Sequence, residues 1–258
     1  MILEEIIQAK RAEVERAKQR SSRSDLRSMD GFSQPRRGFA RRLREAGGRR
    51  VIAEIKRMSP SRGVIRQQFD PPAHGRAYEG AGAACLSVLT DEKFFGGTLE
   101  HLRTVRAAVS LPLLRKDFII DDYQIVEARA WGADAVLLIV AALDPGALAD
   151  LLACAGDEGL DALVEIHTRA ELDAALDAGA TMVGINNRDL KTFTTSLETT
   201  RRLAPAVPPE CLTISESGLR PGPELRELER LGVDAFLVGE SFMSAPDPGA
   251  ALASFREA

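Results

Sequence analysis

Apolar and polar positions alternate through VIAEIK, where Val51, Ala53 and Ile55 interleave with Ile52, Glu54 and Lys56. Side chains along a strand point to opposite faces in turn, so Glu54 and Lys56 must share one face. Downstream, a small turn leading into an apolar strand recurs four times: GAGAACLSVLT from Gly80, GADAVLLIV from Gly132, GATMVGINN from Gly179 and GVDAFLVGE from Gly232. Between these lie further strand candidates, LPLLRKDF from Leu111, ALVEIHT from Ala162 and CLTISESG from Cys211. With VIAEIK the pattern predicts eight strands. Amphipathic stretches over Thr98–Ala108, Asp122–Trp131, Pro145–Asp157, Arg169–Asp177 and Pro221–Leu231 predict helices between them. A glycine that ends each helix supplies the left-handed turn into the next strand.

Strand and helix alternating eight times, with nearly continuous apolar strands, predict an α/β fold, a parallel (β/α)8 TIM barrel. A doubly wound open sheet is the alternative, but no G-x-G-x-x-G turn follows a strand. The chain of 258 residues is read as one barrel domain over 1–258, with 1–46 as a helical extension packed on it. In that extension Ile2, Leu3, Ile6, Ile7 and Val14 fall near helical spacing, while Glu13 to Arg16 and Ala17 to Arg20 read as a solvated face.

Charge changes this picture only at the amino end. Residues 1–50 carry 14 Lys and Arg against 7 Asp and Glu. No aromatic residues interleave with the arginines, so a docked amphipathic helix is favoured over a nucleic-acid-binding arm. The first 20 residues are too charged for a secretory signal, and no apolar run approaches the roughly 20 residues of a membrane span. A cytoplasmic protein is expected. Cys85, Cys154 and Cys211 are scattered in apolar segments and read as reduced core thiols; with His74, His101 and His167 equally dispersed, no metal site is expected.

In such a barrel the site lies at the carboxyl ends of the strands. Those ends read Glu54 and Lys56; Thr90, Asp91 and Glu92; Lys116 and Asp117; an uncharged Ile139; Glu165; Asn186, Asn187 and Arg188; Ser215, Glu216 and Ser217; and Gly239 and Glu240. Lysines and glutamates converging on one mouth predict acid and base chemistry. The glycines of SESG and VGES sit after the last two strands, where barrels often close backbone N–H groups on phosphate.

With these residues placed, the chain resembles the indole-3-glycerol phosphate synthase family. ILEEIIQAKRAEV, IAEIKRMSPSRG, SVLTDEKFFGG, LRKDFIIDDYQI, LVEIHTRAEL, GINNRDL, SESG and FLVGESFM carry the resemblance, from Ile2 to about Met243. It implies ring closure with decarboxylation and dehydration of 1-(2-carboxyphenylamino)-1-deoxyribulose 5-phosphate, a step of tryptophan biosynthesis. It implies no cofactor, no fused phosphoribosylanthranilate isomerase domain, and other tryptophan-pathway enzymes as candidate partners. By motif, Lys116 is expected as general acid, Glu165 as the partner in loss of hydroxyl and proton, and Glu54 with Lys56 as an auxiliary pair, Lys56 near phosphate. Asn186 and Ser217 complete the expected catalytic set. Arg188, Ser59, Glu216 and Leu237 are expected at substrate. Phe94, Phe95 and Phe118 are expected against the anthranilate ring. Ser217, Gly218, Gly239 and the backbone N–H of Glu240 are expected at phosphate; the Glu240 side chain is not, because some members carry a small hydroxyl residue there.

Two readings compete with this one. Another phosphate-binding barrel, such as phosphoribosylanthranilate isomerase, shares the last two glycine loops but not IAEIKR or RKDF. A non-catalytic binding barrel predicts phosphate binding that survives loss of Lys116.

Overall fold

The four repeat glycines take the backbone conformation that the turn pattern requires. Gly82, Gly132, Gly179 and Gly232 have φ of 84°, 92°, 90° and 100°, a region that costs other residues energy, and each leads from a helix into a strand. In the computed structural model, which describes residues 2–189 and 192–258, eight strands follow: β1 Arg50–Ile55, β2 Cys85–Leu89, β3 Leu113–Lys116, β4 Ala135–Ile139, β5 Asp161–Ile166, β6 Met182–Asn186, β7 Leu212–Glu216 and β8 Ala235–Val238. All pair in parallel with their sequence neighbours, and β8 closes on β1 through Ile52 opposite Leu237. The expected closed barrel is present. A two-residue hairpin, Met58–Ser59 with Gly63–Val64, interrupts the first connection.

Side-chain parity builds the two layers. Val51, Ala53 and Ile55 face out and pack with the surrounding helices, whereas Ile52 faces in beside Leu114, Leu137, Leu163, Ile214 and Leu237. Helix starts are set by caps: Asp70, Thr98, Asp121, Asp144, Thr168 and Asp247 each accept a backbone N–H from the first turn of the following helix. Cys85 and Cys211 are buried and Cys154 is half-buried; all three are free thiols.

The segment before β1 folds as helices Ile2–Arg20, Arg23–Ser28, Asp30–Ser33 and Phe39–Glu45, and it serves both ends of the barrel. At the amino end of the strands, Phe39 and Leu43 are fully buried in the interior cluster and plug the barrel floor. Asp161 at the start of β5 accepts the N–H of Ala40, fixing that plug. At the carboxyl end, helix Ile2–Arg20 lies over the mouth, with Ile2, Leu3 and Ile6 on the wall of the main cavity. Its solvated face differs from expectation at Glu13, which is half-buried because it pairs with the buried Lys10 at 2.9 Å. Among the described residues, no helix is long and apolar enough to cross a membrane.

Candidate active site

The inward parity of β1 that carries Ile52 into the barrel carries Glu54 and Lys56 into a cavity of about 1010 Å³ above it. Glu54 Oε1 lies 2.7 Å from Lys56 Nζ. Lys116, at the carboxyl end of β3, reaches into the base of the same cavity. Its Nζ lies 3.6 Å from Glu165, 3.8 Å from Glu216 and 4.0 Å from Glu54, so one ammonium is held among carboxylates from three other strands. Asn186 Nδ2 donates to Glu165 Oε1 at 3.1 Å, and Asn186 Oδ1 accepts the N–H of Arg188.

This grouping shifts the protonation of its members in opposite senses. Burial alone would lower the Lys116 pKa, but Glu165, Glu216 and Glu54 outweigh it and hold the ammonium charged above the ordinary lysine range. Burial would raise Glu54, yet Lys56 and Lys116 bring it below the usual carboxylate range. Glu216 goes the other way: burial and then the Glu165 charge push it up to about 8, despite Lys116. Its Oε1 is buried without a hydrogen-bond partner. The site therefore holds one carboxyl, Glu216, that is mostly protonated at neutral pH and another, Glu54, that is not.

Glycines make room for these groups. A methyl group on Gly239 would lie 2.4 Å from Glu54 Oε1, and one on Gly184 would lie 2.2 Å from Glu216 Oε1. On the side of β7 and β8, Ser217, Gly218, Gly239 and Glu240 line the cavity. Ser217 and Gly218 both have positive φ, 66° and 73°. A left-handed serine is uncommon, and such strain concentrates at functional turns. The Glu240 carboxylate bridges Arg62 at 2.9 Å and Arg188 at 3.1 Å. Burial works to raise its pKa, but the Arg62 contact and the Arg188 charge prevail and lower it. Ser59, Phe118, Arg188 and Leu237 also line the cavity. The Phe118 ring lies 6.1 Å from that of Phe95, which lines the wall with it.

Four expectations need correction. Phe94 is not on the cavity wall; one position before Phe95 on the short helix Glu92–Phe95 it points elsewhere, under the Lys93 ammonium at 4.8 Å. Asp91 and Asp117 do not join the lysine and glutamate cluster but pair with Lys10 at 3.0 and 2.8 Å. Asn187 turns outward, donating to Ser215 Oγ and accepting from Thr200, so it and Ser215 brace the outside of β6 and β7. Glu92 is exposed. Conversely, Ser61, Arg62, Phe193 and Thr195 line the cavity although no strand-end pattern marks them. Lying in connections, they carry no period from which their direction could be read.

The indole-3-glycerol phosphate synthase family model matches residues 3–255 of the chain. The chain belongs to the indole-3-glycerol phosphate synthase family. An indole-3-glycerol phosphate synthase of Bordetella pertussis is 51% identical over 255 residues, 98% of this chain and 97% of the relative. Among solved structures, a thiamine phosphate pyrophosphorylase from Pyrococcus furiosus superposes with a TM-score of 0.61, covering 81% of this chain and 94% of its own. At 18% identity that likeness shows the shared barrel fold alone. Among the described residues, no group of three or more His, Cys, Asp or Glu is arranged to hold a metal ion.

Proposed function

We propose that the cavity closes an indole ring, converting 1-(2-carboxyphenylamino)-1-deoxyribulose 5-phosphate to indole-3-glycerol phosphate with release of carbon dioxide and water. The observation that carries this reading is Lys116, an ammonium within 4.0 Å of Glu54, Glu165 and Glu216 on the floor of a cavity large enough for the substrate. Family membership supplies the reaction; this cluster supplies the acids and bases it needs.

The ring carbon bearing the carboxylate attacks the ribulose carbonyl, and Lys116 gives the carbonyl oxygen its proton. A raised pKa does not prevent this step, because the alkoxide formed is a much stronger base than an amine, and the held charge stabilises it as it develops. Carbon dioxide then leaves with its bonding pair returned to the ring. The new hydroxyl departs as water with a second proton, and Glu165 removes a proton from the adjacent carbon to complete the aromatic ring. Glu54 positions Lys56 and Lys116 through its two oxygens. Asn186 and Arg188 orient the substrate hydroxyl and carboxylate, with Ser59, Glu216 and Leu237 on the surrounding wall. The phosphate rests on Ser217, Gly218, Gly239 and the Glu240 N–H, with Lys56 nearby. Phe118 and Phe95 flank the anthranilate ring.

Mixing purified protein with the carboxyphenylamino substrate and following indole fluorescence tests the reading. Steady product formation with stoichiometric carbon dioxide is expected. No turnover, with phosphate-dependent binding retained, would instead support a binding barrel; turnover of phosphoribosylanthranilate would support the isomerase.

A further inference from the structure

Glu165 has a second neighbour outside the lysine and glutamate cluster. Its Oε2 faces Lys116, and its Oε1 lies 3.6 Å from His167 Nε2, two residues along the same face of the chain. The opposite ring nitrogen, Nδ1, lies 3.4 Å from Glu171 Oε2, which also accepts the backbone N–H of His167 at 2.6 Å. His167 Nε2 is buried and has no hydrogen-bond partner.

These three residues join two cavities. Glu165 lines the main cavity, whereas His167 and Glu171 line a second one of about 720 Å³ on the other side, beneath helix Ile2–Arg20. The titratable groups around His167 are Glu165 and, two strands along on β7, Glu216; Glu171 from helix Arg169–Asp177; and the second cavity's Glu4 and Arg11 from the first helix and Asp189 from the segment after β6.

The proton balance of the proposed reaction gives this arrangement a task. One proton goes to the carbonyl oxygen and one to the departing hydroxyl, while only one returns from the carbon beside the nitrogen. The carboxylate leaves as neutral carbon dioxide, so each turnover consumes one proton. With substrate against Glu165 in the main cavity, the second cavity offers that proton a route from behind the carboxylate.

Resting on the ring-closure reading, we infer that Glu171, His167 and Glu165 form a proton relay that draws this proton from solvent in the second cavity into the main cavity. A proton arriving at Glu171 passes to His167 Nδ1, the Nε2 proton passes to Glu165, and Glu165 delivers it to the departing hydroxyl. Glu165 then takes the carbon-bound proton and hands it to Lys116, 3.6 Å away, which restores the general acid. No electrons change hands beyond those of the bonds named; Glu165 and Lys116 return to their starting state, and His167, left with its proton on Nδ1, regains the Nε2–H tautomer by exchange with water that enters once product has left. Contacts of 3.4 and 3.6 Å are long for proton transfer, and such contacts commonly tighten when substrate binds. The histidine is suited to the passage: burial lowers its pKa, but the Glu171 contact and the Glu165 charge prevail and raise it above the ordinary value.

The test uses His167→Gln, which keeps a polar group but carries no proton across, Glu171→Gln, which leaves the main cavity untouched, and His167→Ala with added imidazole. Both glutamine variants are expected to lose about 100-fold in kcat, the low end for one proton-transfer group, with KM within about twofold of the parent. Their kcat ratio between H₂O and D₂O should rise, and imidazole should restore part of the His167→Ala loss as its protonated fraction increases. An active parent whose Glu171→Gln and His167→Gln variants turn over within about twofold of it from pH 6 to 9, with an unchanged isotope ratio, overturns the relay alone. So does an equal loss in kcat and KM with no isotope change and no imidazole rescue, which marks a packing role. Absence of turnover in the parent overturns the ring-closure reading and the relay with it.

Discussion

The Lys10 ammonium lies 2.8 Å from the carboxylate of Asp117, the residue after Lys116, and both side chains are almost wholly buried. Lys10 also holds Asp91 at 3.0 Å, and Asp117 is held from behind by Arg115 at 3.1 Å and by the Thr90 hydroxyl. A helix that supplies three residues of the main cavity wall is thus pinned to the ends of β2 and β3 by a charge that water does not reach. Burial would lower the Lys10 pKa, but Asp117, Asp91 and Glu13 outweigh it and raise it. Burial would raise Asp117, but Lys10 and Arg115 bring it well below the carboxylate range.

Lys10→Met should therefore cost stability and substrate affinity together. Removing one member of a buried ion cluster leaves its partners uncompensated, a loss of about 3 kcal/mol. Thermal melts should show the drop, and KM should rise because Ile2, Leu3 and Ile6 lose their anchor. The sign with pH follows from the shifts. Asp117, depressed on folding, stabilises above the unfolded carboxylate pKa, and that contribution fades as pH falls below about 4. Lys10, raised on folding, contributes fully below the unfolded lysine pKa and fades only above about 10. A Lys10→Met protein that melts with the parent at pH 7 would show that the cluster is not what holds the helix.

Much of this architecture was legible because strand parity is strict. The period of two in VIAEIK puts Glu54 and Lys56 inside the barrel, and the turn glycines set where each strand begins. The same parity, applied to RKDF, puts Lys116 inside and its neighbours Arg115 and Asp117 outside, where Arg115 is buried against Asp117 and Glu127. Lys10 was harder to read. It falls four residues from both Ile6 and Val14 on the apolar stripe, but a lysine there reads as a chain reaching for water until the two buried carboxylates opposite it are known. Phe94 and Phe95 lie on a four-residue helix, too short for periodicity to say which ring faces the cavity. The bridge from His167 to Glu171 was accessible in principle, since VEIHTRAE carries Glu165 and His167 on one strand face and Glu171 one helical turn beyond.

Lys116→Ala should separate acid from binding group. Loss of the proton donor should cost on the order of 10²- to 10⁴-fold in kcat with a smaller change in KM, because the proposed phosphate site, at Ser217, Gly218 and Gly239, lies on the other side of the cavity and is left intact. Lys56→Ala should show the reverse balance, chiefly a higher KM, since a cation near a phosphate dianion contributes mainly to the ground state. Steady-state fluorescence from pH 6 to 9 reads both. A Lys116→Ala enzyme within threefold of the parent in kcat, with a steeply raised KM, would assign Lys116 to binding.

Glu216 should leave a signature in stability against pH. Its folded pKa of about 8 lies above the unfolded glutamate value near 4.3, so the native state holds more protons between these limits and stability falls as pH rises through that window. Glu216→Gln removes the titration without changing the shape. The gap between the melting temperatures of variant and parent should therefore widen in the variant's favour from about pH 5 to pH 8 and level off above. A gap that stays constant across this range would place the Glu216 titration elsewhere.

Gly184→Ala tests how closely that carboxyl must be held. Gly184 lies in β6 beside Ile214 of β7, two residues before Glu216, and an added methyl would meet Glu216 Oε1 at 2.2 Å and Leu163 Cδ1 at 3.2 Å. The close contact is with the far end of a flexible side chain, so the fold can yield by swinging the carboxyl away, and a stability loss of about 1 kcal/mol is expected. The site cannot yield as easily, because Glu216 sits 3.8 Å from Lys116 and a displacement near 1 Å in such a cluster costs about 10²-fold in turnover. The double variant with Glu216→Gln distinguishes the cause. If the added methyl acts by moving Glu216, the two losses will not add, and the double variant will be little worse than the poorer single one. Fully additive losses would mean that the substitution harms the barrel by some other route, and a Gly184→Ala kcat within about twofold of the parent would mean that Glu216 has latitude the packing does not suggest.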